Sequence, residues 1–233
     1  IGALRQLAVF GLLALAAAAA TLPLQAQVPP TATEAAAYQG LHAAAQRGDL
    51  AAIQRLAVDK AALESRDKAG RTPLHVATFA RQGRAVQALL QAGADHAALE
   101  QGRYDAVTIA AVADDEATLR VLLAGGASAG LTTSRYDGTA LIAAAHLGHD
   151  GVVRQLIQAG APLDHVNNLH WTAVIEAIVL GDGGPRHQAT LKALLDAGAS
   201  TQRADRSGTT PLQLAQARGY TAMVQLLQAA GAR

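Results

Sequence analysis

The sequence predicts an all-α solenoid of six helix-turn-helix units, stacked side by side and connected by short β-hairpin-like turns. Its clearest repeated phrase reads GRTPLHVA at 70–77 and LLQAGAD at 89–95. Each copy contains one apolar anchor: Leu41, Leu74, Val107, Leu141, Val174 and Leu212. The anchors are 33, 33, 34, 33 and 38 residues apart, and a period near 33 is typical of solenoids whose units pack only on their neighbours. The composition of 51% hydrophobic but only 3% aromatic residues also favours thin helices packed through small side chains.

Each unit carries residues that begin, pack and end its helices. A threonine oxygen is expected to cap the first helix at Thr72, Thr139, Thr172 and Thr210, with proline next at Pro73 and Pro211. Three residues after every anchor comes an alanine, where neighbouring helices approach closely: Ala44, Ala77, Ala110, Ala144, Ala177 and Ala215. A glycine ends the second helix at Gly93, Gly126, Gly160, Gly198 and Gly231. The first unit departs from this pattern, with Lys60 in place of glycine.

On these residues the chain resembles the ankyrin repeat family over roughly residues 38–233. The resemblance implies a turn and two antiparallel helices per unit, and a concave face of turns and inner helices that binds another protein. It also implies that His42 and His75 donate or accept hydrogen bonds between units. The phrase from Arg135 to Ile142 and the 171–184 segment are similar to a variant found in exported or bacterial ankyrin proteins.

The sequence divides into three parts. Residues 1–26 have the layout of a secretory signal peptide, with Arg5 before an apolar run from Leu7 to Ala20. This run is shorter than the roughly 20 residues that span a bilayer, so a retained membrane anchor is the weaker alternative. Residues 27–37 are expected to be a linker and the start of an N-terminal capping helix, and 38–233 the repeat domain. We therefore expect a periplasmic or secreted protein, with which the absence of cysteine is compatible.

Charge limits the classes of partner. The whole chain has 19 basic and 18 acidic side chains, and loss of Arg5 with the signal peptide would leave 18 of each. A neutral chain without a basic cluster argues against nucleic acid and against an anionic membrane surface. We expect a monomer that binds another protein, without stable membrane insertion of the mature chain.

The turns between units carry residue types that are common in binding hot spots. Seven candidate partner-binding residues lie there: Arg71, Arg103, Tyr104, Arg135, Tyr136, His170 and Trp171. Aromatic residues bury a large area while keeping a polar group, which suits an interface. The alternative is that these rings only brace neighbouring turns.

The fifth unit has two unusual features. Glu176 occupies a position that is apolar in the other copies, where an unpaired carboxylate would cost several kcal/mol. Five extra residues also separate the two helices, and we expect the amides of this loop, Arg186 or His187 to bind Glu176. Glu176, Asp182, Arg186 and His187 could thus form a small polar site for a small molecule or peptide. The alternative is that Glu176 only holds the enlarged loop in place.

Metal binding and catalysis have weaker support. His146, His149 and Asp150 are close in sequence, and His165 and His170 lie on a neighbouring turn, but the spacing is not that of a known metal site. No nucleophile-base arrangement or phosphate-binding loop has an interpretable spacing. We therefore assign no catalytic residue, no metal ligand and no cofactor, and expect a non-enzymatic scaffold.

Overall fold

The structure, a computed structural model, describes residues 27–233, so the predicted signal peptide lies outside the described residues. This part of the chain contains fourteen α-helices and no β-strand. In chain order the helices are α1 (Ala32–Ala37), α2 (Gly40–Arg47), α3 (Leu50–Leu56), α4 (Lys60–Leu63), α5 (Pro73–Phe79), α6 (Gly83–Gln91), α7 (Ala106–Val112), α8 (Glu116–Ala124), α9 (Ala140–Leu147), α10 (Asp150–Gln158), α11 (Ala173–Val179), α12 (Pro185–Asp196), α13 (Pro211–Ala217) and α14 (Thr221–Ala229). The predicted all-α solenoid is confirmed.

The helices form two layers. The first helices of the six units, α2, α5, α7, α9, α11 and α13, pack on one another in sequence order. The second helices, α3, α6, α8, α10, α12 and α14, form the other layer in the same order. We call the surface formed by the turns and the first helices the inner face. The alanines after each anchor are at most 1% exposed, and their small side chains allow neighbouring helices to approach closely.

The predicted helix signals are largely confirmed. The side chains of Thr72, Thr139, Thr172 and Thr210 each accept a hydrogen bond from a backbone N–H in the first turn of the following helix. Asp105 takes the place of threonine before α7 and accepts from the Thr108 N–H. The five glycines that end the second helices have positive φ, between 81° and 94°. In the first unit, a short additional helix, α4, begins at Lys60 instead.

Each turn is closed by a backbone hydrogen bond and is linked to the next turn. The Gln101 N–H donates to the Ala69 carbonyl at 3.0 Å, and the Asn168 N–H donates to the Tyr136 carbonyl at 2.9 Å. At the fourth position the two outer turns have glycine with positive φ, whereas the three central turns have Arg103, Asp137 and His170 at φ between 52° and 66°. These three residues have a backbone conformation that L-residues rarely adopt, so the central turns carry backbone strain.

The N-terminal helix α1 closes the first end of the stack. Thr31 and Glu34 form a capping box at its start. Arg71 holds this helix, because its guanidinium lies 3.0 Å from Glu34 Oε1 and 2.6 Å from Asp67 Oδ2. Arg71 is only 1% exposed, so its prediction as a partner-binding residue is wrong. Its turn position suggested exposure, but the capping segment covers it.

The insertion of the fifth unit lengthens both a loop and a helix. In the second unit, three residues separate a seven-residue helix from a nine-residue helix. In the fifth unit, the loop has five residues, 180–184, and α12 has twelve. Within residues 27–233, no helix is both long and apolar enough to cross a membrane.

Candidate functional site

A cavity of about 350 Å³ opens on the inner face between the third, fourth and fifth units. Turn residues and residues of α9 and α11 form it together. Its lining consists of Tyr104, Thr108, Thr133, Ser134, Tyr136, Gly138, Thr139, Ile142, Ala143, His146, Asn167, Leu169, Trp171, Glu176 and Leu180, with Arg206 contributed by the sixth unit. A cavity of this size that combines aromatic and aliphatic side chains with convergent polar groups is typical of a binding site.

Three aromatic side chains from consecutive turns line the cavity. Tyr104 is 4% exposed, whereas Tyr136 and Trp171 are half-buried. Burial raises the pKa of the Tyr104 hydroxyl. The two half-buried rings are accessible to a partner, while Tyr104 is accessible only from the cavity.

Glu176 lies in the cavity wall and is 4% exposed. Its Oε1 accepts a hydrogen bond from Asn167 Nδ2 at 2.9 Å, and its Oε2 lies 3.2 Å from His146 Nδ1. The prediction that the insertion loop, Arg186 or His187 binds this carboxylate is therefore wrong. Glu176 projects from the first helix toward the preceding unit and its own turn, whereas the loop begins after that helix ends.

Asn167 connects the carboxylate to the turn of the fifth unit. Its Oδ1 accepts from the N–H groups of Leu169 and Trp171, both at 3.0 Å. Its Nδ2 is then directed at Glu176. Asn167 thus fixes the turn that carries Trp171 and the charged group of the cavity at the same time.

One cationic side chain, Arg206, lines the cavity, and other basic residues lie on the neighbouring turns. The Arg206 guanidinium donates to the Asn168 carbonyl at 2.9 Å and is close to His170 Nδ1. Arg135 and His170 are exposed. Arg103 is also exposed and pairs with Asp137 at 3.2 Å. These three members of the predicted partner-binding set are therefore open to solvent.

The insertion residues form a separate cluster at the opposite end of the helices. Arg186 reaches Asp114 of the third unit at 2.9 Å and Asp150 of the fourth at 3.3 Å. His187 contacts Asp182 Oδ1 at 2.8 Å and the His146 carbonyl at 2.9 Å. The hydrogen bond that the Gly184 N–H donates to Asp182 Oδ1, followed by the bond with His187, lowers the pKa of the exposed Asp182 carboxyl. Asp182, Arg186 and His187 therefore hold the loop against other units and do not line the cavity with Glu176.

The histidines considered as metal ligands are dispersed. His149 Nδ1 bonds the Ala111 carbonyl at 2.9 Å, and His165 Nε2 bonds the Asp137 carbonyl at 2.6 Å. In the described part of the chain, no group of three or more His, Asp or Glu residues is arranged to hold a metal ion. The implied bonds between units are present, since His42 Nε2 lies 2.9 Å from the Arg71 carbonyl oxygen and His75 Nε2 lies 3.0 Å from that of Ala98.

From the sequence alone, His146 is considered only as a metal ligand and Asn167 is assigned no partner, although both contact Glu176. The available signal was the unusual Glu176 itself, because a buried carboxylate requires donors from adjacent elements. Such donors are expected in the turn before the same helix and on the first helix of the preceding unit.

Comparisons with known proteins place this fold in a family. The family model for ankyrin repeats (3 copies) matches residues 13–100 and 107–205. The ankyrin repeat protein YahD of Escherichia coli strain K12 is 35% identical over 190 residues, which cover 81% of this chain and 94% of YahD.

Solved structures agree. An ankyrin repeat domain from Acinetobacter baumannii is 43% identical with a TM-score of 0.77, over 83% of this chain and 98% of that one. The ankyrin repeat domain of Bcl-3, a member of the IkappaB protein family, is 28% identical with a TM-score of 0.75, over 84% and 88% of the two chains. The chain therefore belongs to the ankyrin repeat family.

Proposed function

We propose that this protein is an exported, non-enzymatic scaffold that binds another protein through its inner face. Ankyrin repeats generally mediate protein–protein interaction. The observation that carries the proposal is the cavity on the inner face, where Tyr136 and Trp171 stand half-buried beside exposed cationic turn residues. Rigid stacked units would hold these side chains in place, which lowers the cost of ordering them on binding.

Affinity capture from a bacterial periplasmic extract tests this proposal. The double variant Tyr136→Ala/Trp171→Ala should lose a protein that the unchanged bait retains, because the two rings supply accessible aromatic area in the cavity. Lys192→Ala is the matched control, since Lys192 is 60% exposed on α12, in the layer of second helices. Equal capture by the double variant and the control, with both baits folded by circular dichroism, would refute the inner-face interface.

Export requires its own test. Residues 1–26 have the charge and hydropathy layout of a signal peptide. We expect mass spectrometry of the protein expressed in a bacterium to show a mature chain that begins at or near Gln27 in the periplasmic fraction or the medium. An uncleaved chain in the cytoplasm would contradict export without affecting the binding surface.

A second candidate function is binding of a small molecule or short peptide at the fifth repeat. The volume of about 350 Å³ and the aromatic lining favour it, because such dimensions suit a compact ligand. A metabolite library screened by thermal shift should then yield a ligand whose effect disappears in Glu176→Gln. Loss of protein capture in the Tyr136→Ala/Trp171→Ala variant, with no metabolite that stabilises the unchanged protein, would favour the scaffold.

A further inference from the structure

We infer that the inner-face cavity accepts a cationic side chain, an arginine or lysine that the partner protein presents to Glu176. This inference rests on the proposed function and specifies the chemistry that the partner must offer. The alkyl part of that side chain would lie among the aromatic rings, and its guanidinium or ammonium group would contact the carboxylate.

The first reason is the state of the Glu176 carboxylate. It is 4% exposed, and its fixed hydrogen-bond donor is the neutral amide of Asn167. His146 carries positive charge only when it is protonated. Among residues 27–233, no arginine or lysine forms an ion pair with Glu176. A carboxylate has room for about four hydrogen bonds, so this buried group retains acceptor capacity for an incoming cation.

The second reason is the aromatic lining of the cavity. Tyr104, Tyr136 and Trp171 border the same space as Glu176. Aromatic faces attract ammonium and guanidinium groups, and they do so more strongly when the cation is desolvated. A cavity that a carboxylate and aromatic rings line together therefore selects a cation with an apolar stem over a neutral or anionic side chain.

Arg206 is the cation of the sixth unit that borders the cavity. Its guanidinium is held at the rim by the Asn168 carbonyl, and the residue is exposed, so solvent and salt screen its charge. Glu176 is buried and its field is screened much less. The interior of the cavity is therefore the negative part of this site, and the rim would meet polar or acidic groups around the inserted side chain.

The single tryptophan of the chain makes the inference testable with small probes. Because Trp171 lines the cavity, its one indole N–H resonance reports binding at this site. We would titrate the protein with the Nα-acetyl N-methylamides of arginine, lysine, citrulline and norleucine. Citrulline matches the shape of arginine without the charge, and norleucine is the lysine stem without its ammonium group. Arginine should bind about tenfold more tightly than citrulline, which corresponds to about 1.4 kcal/mol.

Variants separate the charge from the cavity shape. In Glu176→Gln the arginine preference should fall to about twofold or less, because the charged contact is lost while the side-chain volume remains. Asp196→Asn removes an exposed carboxylate of α12 and should keep the full preference. Because the arginine and citrulline comparison uses the unchanged protein, the test stands even if Glu176→Gln is poorly folded.

Two results would overturn the inference. Equal affinity for the arginine and citrulline probes would show that the cavity does not select charge. If no probe shifted the indole resonance up to its solubility limit, the cavity would bind none of these side chains. Both results are distinct from failure of the proposed function, because capture of a partner protein can still require Tyr136 and Trp171 when the cavity does not select a cation.

Discussion

Asn167 donates a hydrogen bond from Nδ2 to Glu176 Oε1 at 2.9 Å, and both residues are only 4% exposed. The equivalent turn positions of two other units are Asp67 and Asp205, whose carboxylates accept from the same two turn amides that Asn167 Oδ1 binds. Aspartate therefore suits the turn itself. The amide is required at position 167 because the group facing it is a carboxylate.

Asn167→Asp should destabilise the protein by about 2–4 kcal/mol at pH 7, since two buried carboxylates would face each other. The double variant Asn167→Asp/Glu176→Gln should recover most of the loss, because the Gln amide can donate to the new aspartate. Urea unfolding of the four proteins in this cycle gives the coupling energy. Additive effects of the two substitutions would contradict the contact.

Arg71 and Arg186 provide a matched comparison of buried and exposed ion pairs. Each contacts two carboxylates, but the Arg71 side chain is 2% exposed and the Arg186 side chain 52%. Arg71→Met should cost about 3 kcal/mol, because it leaves Asp67 without its cation and releases α1. Arg186→Met should cost about 1 kcal/mol or less. Urea unfolding measures both, and limited proteolysis near residues 28–37 should increase only in Arg71→Met.

Gly181 is the tightest point of the insertion loop. A Cβ at this position would collide with the Ala177 carbonyl oxygen and lie 2.6 Å from the His187 ring, which itself bonds the His146 carbonyl of the preceding unit. Gly181→Ala should therefore cost about 2 kcal/mol or more.

Gly184→Ala is the control, because its Cβ would meet only the exposed Asp182 side chain, at 3.0 Å. Thermal unfolding compares the two variants. If they had equal melting temperatures, the loop would not be held as tightly as the contacts of Gly181 imply.

His75 should make stability depend on pH. Burial lowers its pKa to about 4 from an ordinary value of 6.5, so the unfolded chain binds the proton more readily. The contribution of neutral His75 is complete above pH 6.5 and is lost as the pH falls toward 4, by about 3 kcal/mol in all.

His75→Gln removes this titration and preserves the hydrogen bond that the Thr72 N–H donates to the side chain at position 75. The sixth unit shows why, since Gln213 occupies the same position and its Oε1 accepts from the Thr210 N–H at 2.9 Å. Urea unfolding between pH 4 and 7 should show a flatter pH dependence for the variant than for the unchanged protein. Identical slopes would contradict the assignment of a neutral buried histidine.

The sequence predicted the fold because the repeat signals act locally. Thr72 specifies a helix start through its side-chain oxygen and Pro73 through its fixed φ, whatever the rest of the chain does. The site was only partly predictable. Glu176 could be recognised as an unusual buried carboxylate, but its partners depend on how α9 and α11 are aligned, which no local signal encodes. Arg71 was misassigned for the same reason, since its cover comes from a segment some 40 residues earlier.

The most direct test of the inner-face account is site-specific photo-crosslinking. A benzoylphenylalanine residue would replace Trp171 in one protein and Lys192 in another, and both would be irradiated in periplasmic extract. The account predicts a crosslinked partner protein at position 171 and none at position 192, where the side chain lies on α12. The same partner crosslinked at position 192 and absent at position 171 would contradict binding through the inner face.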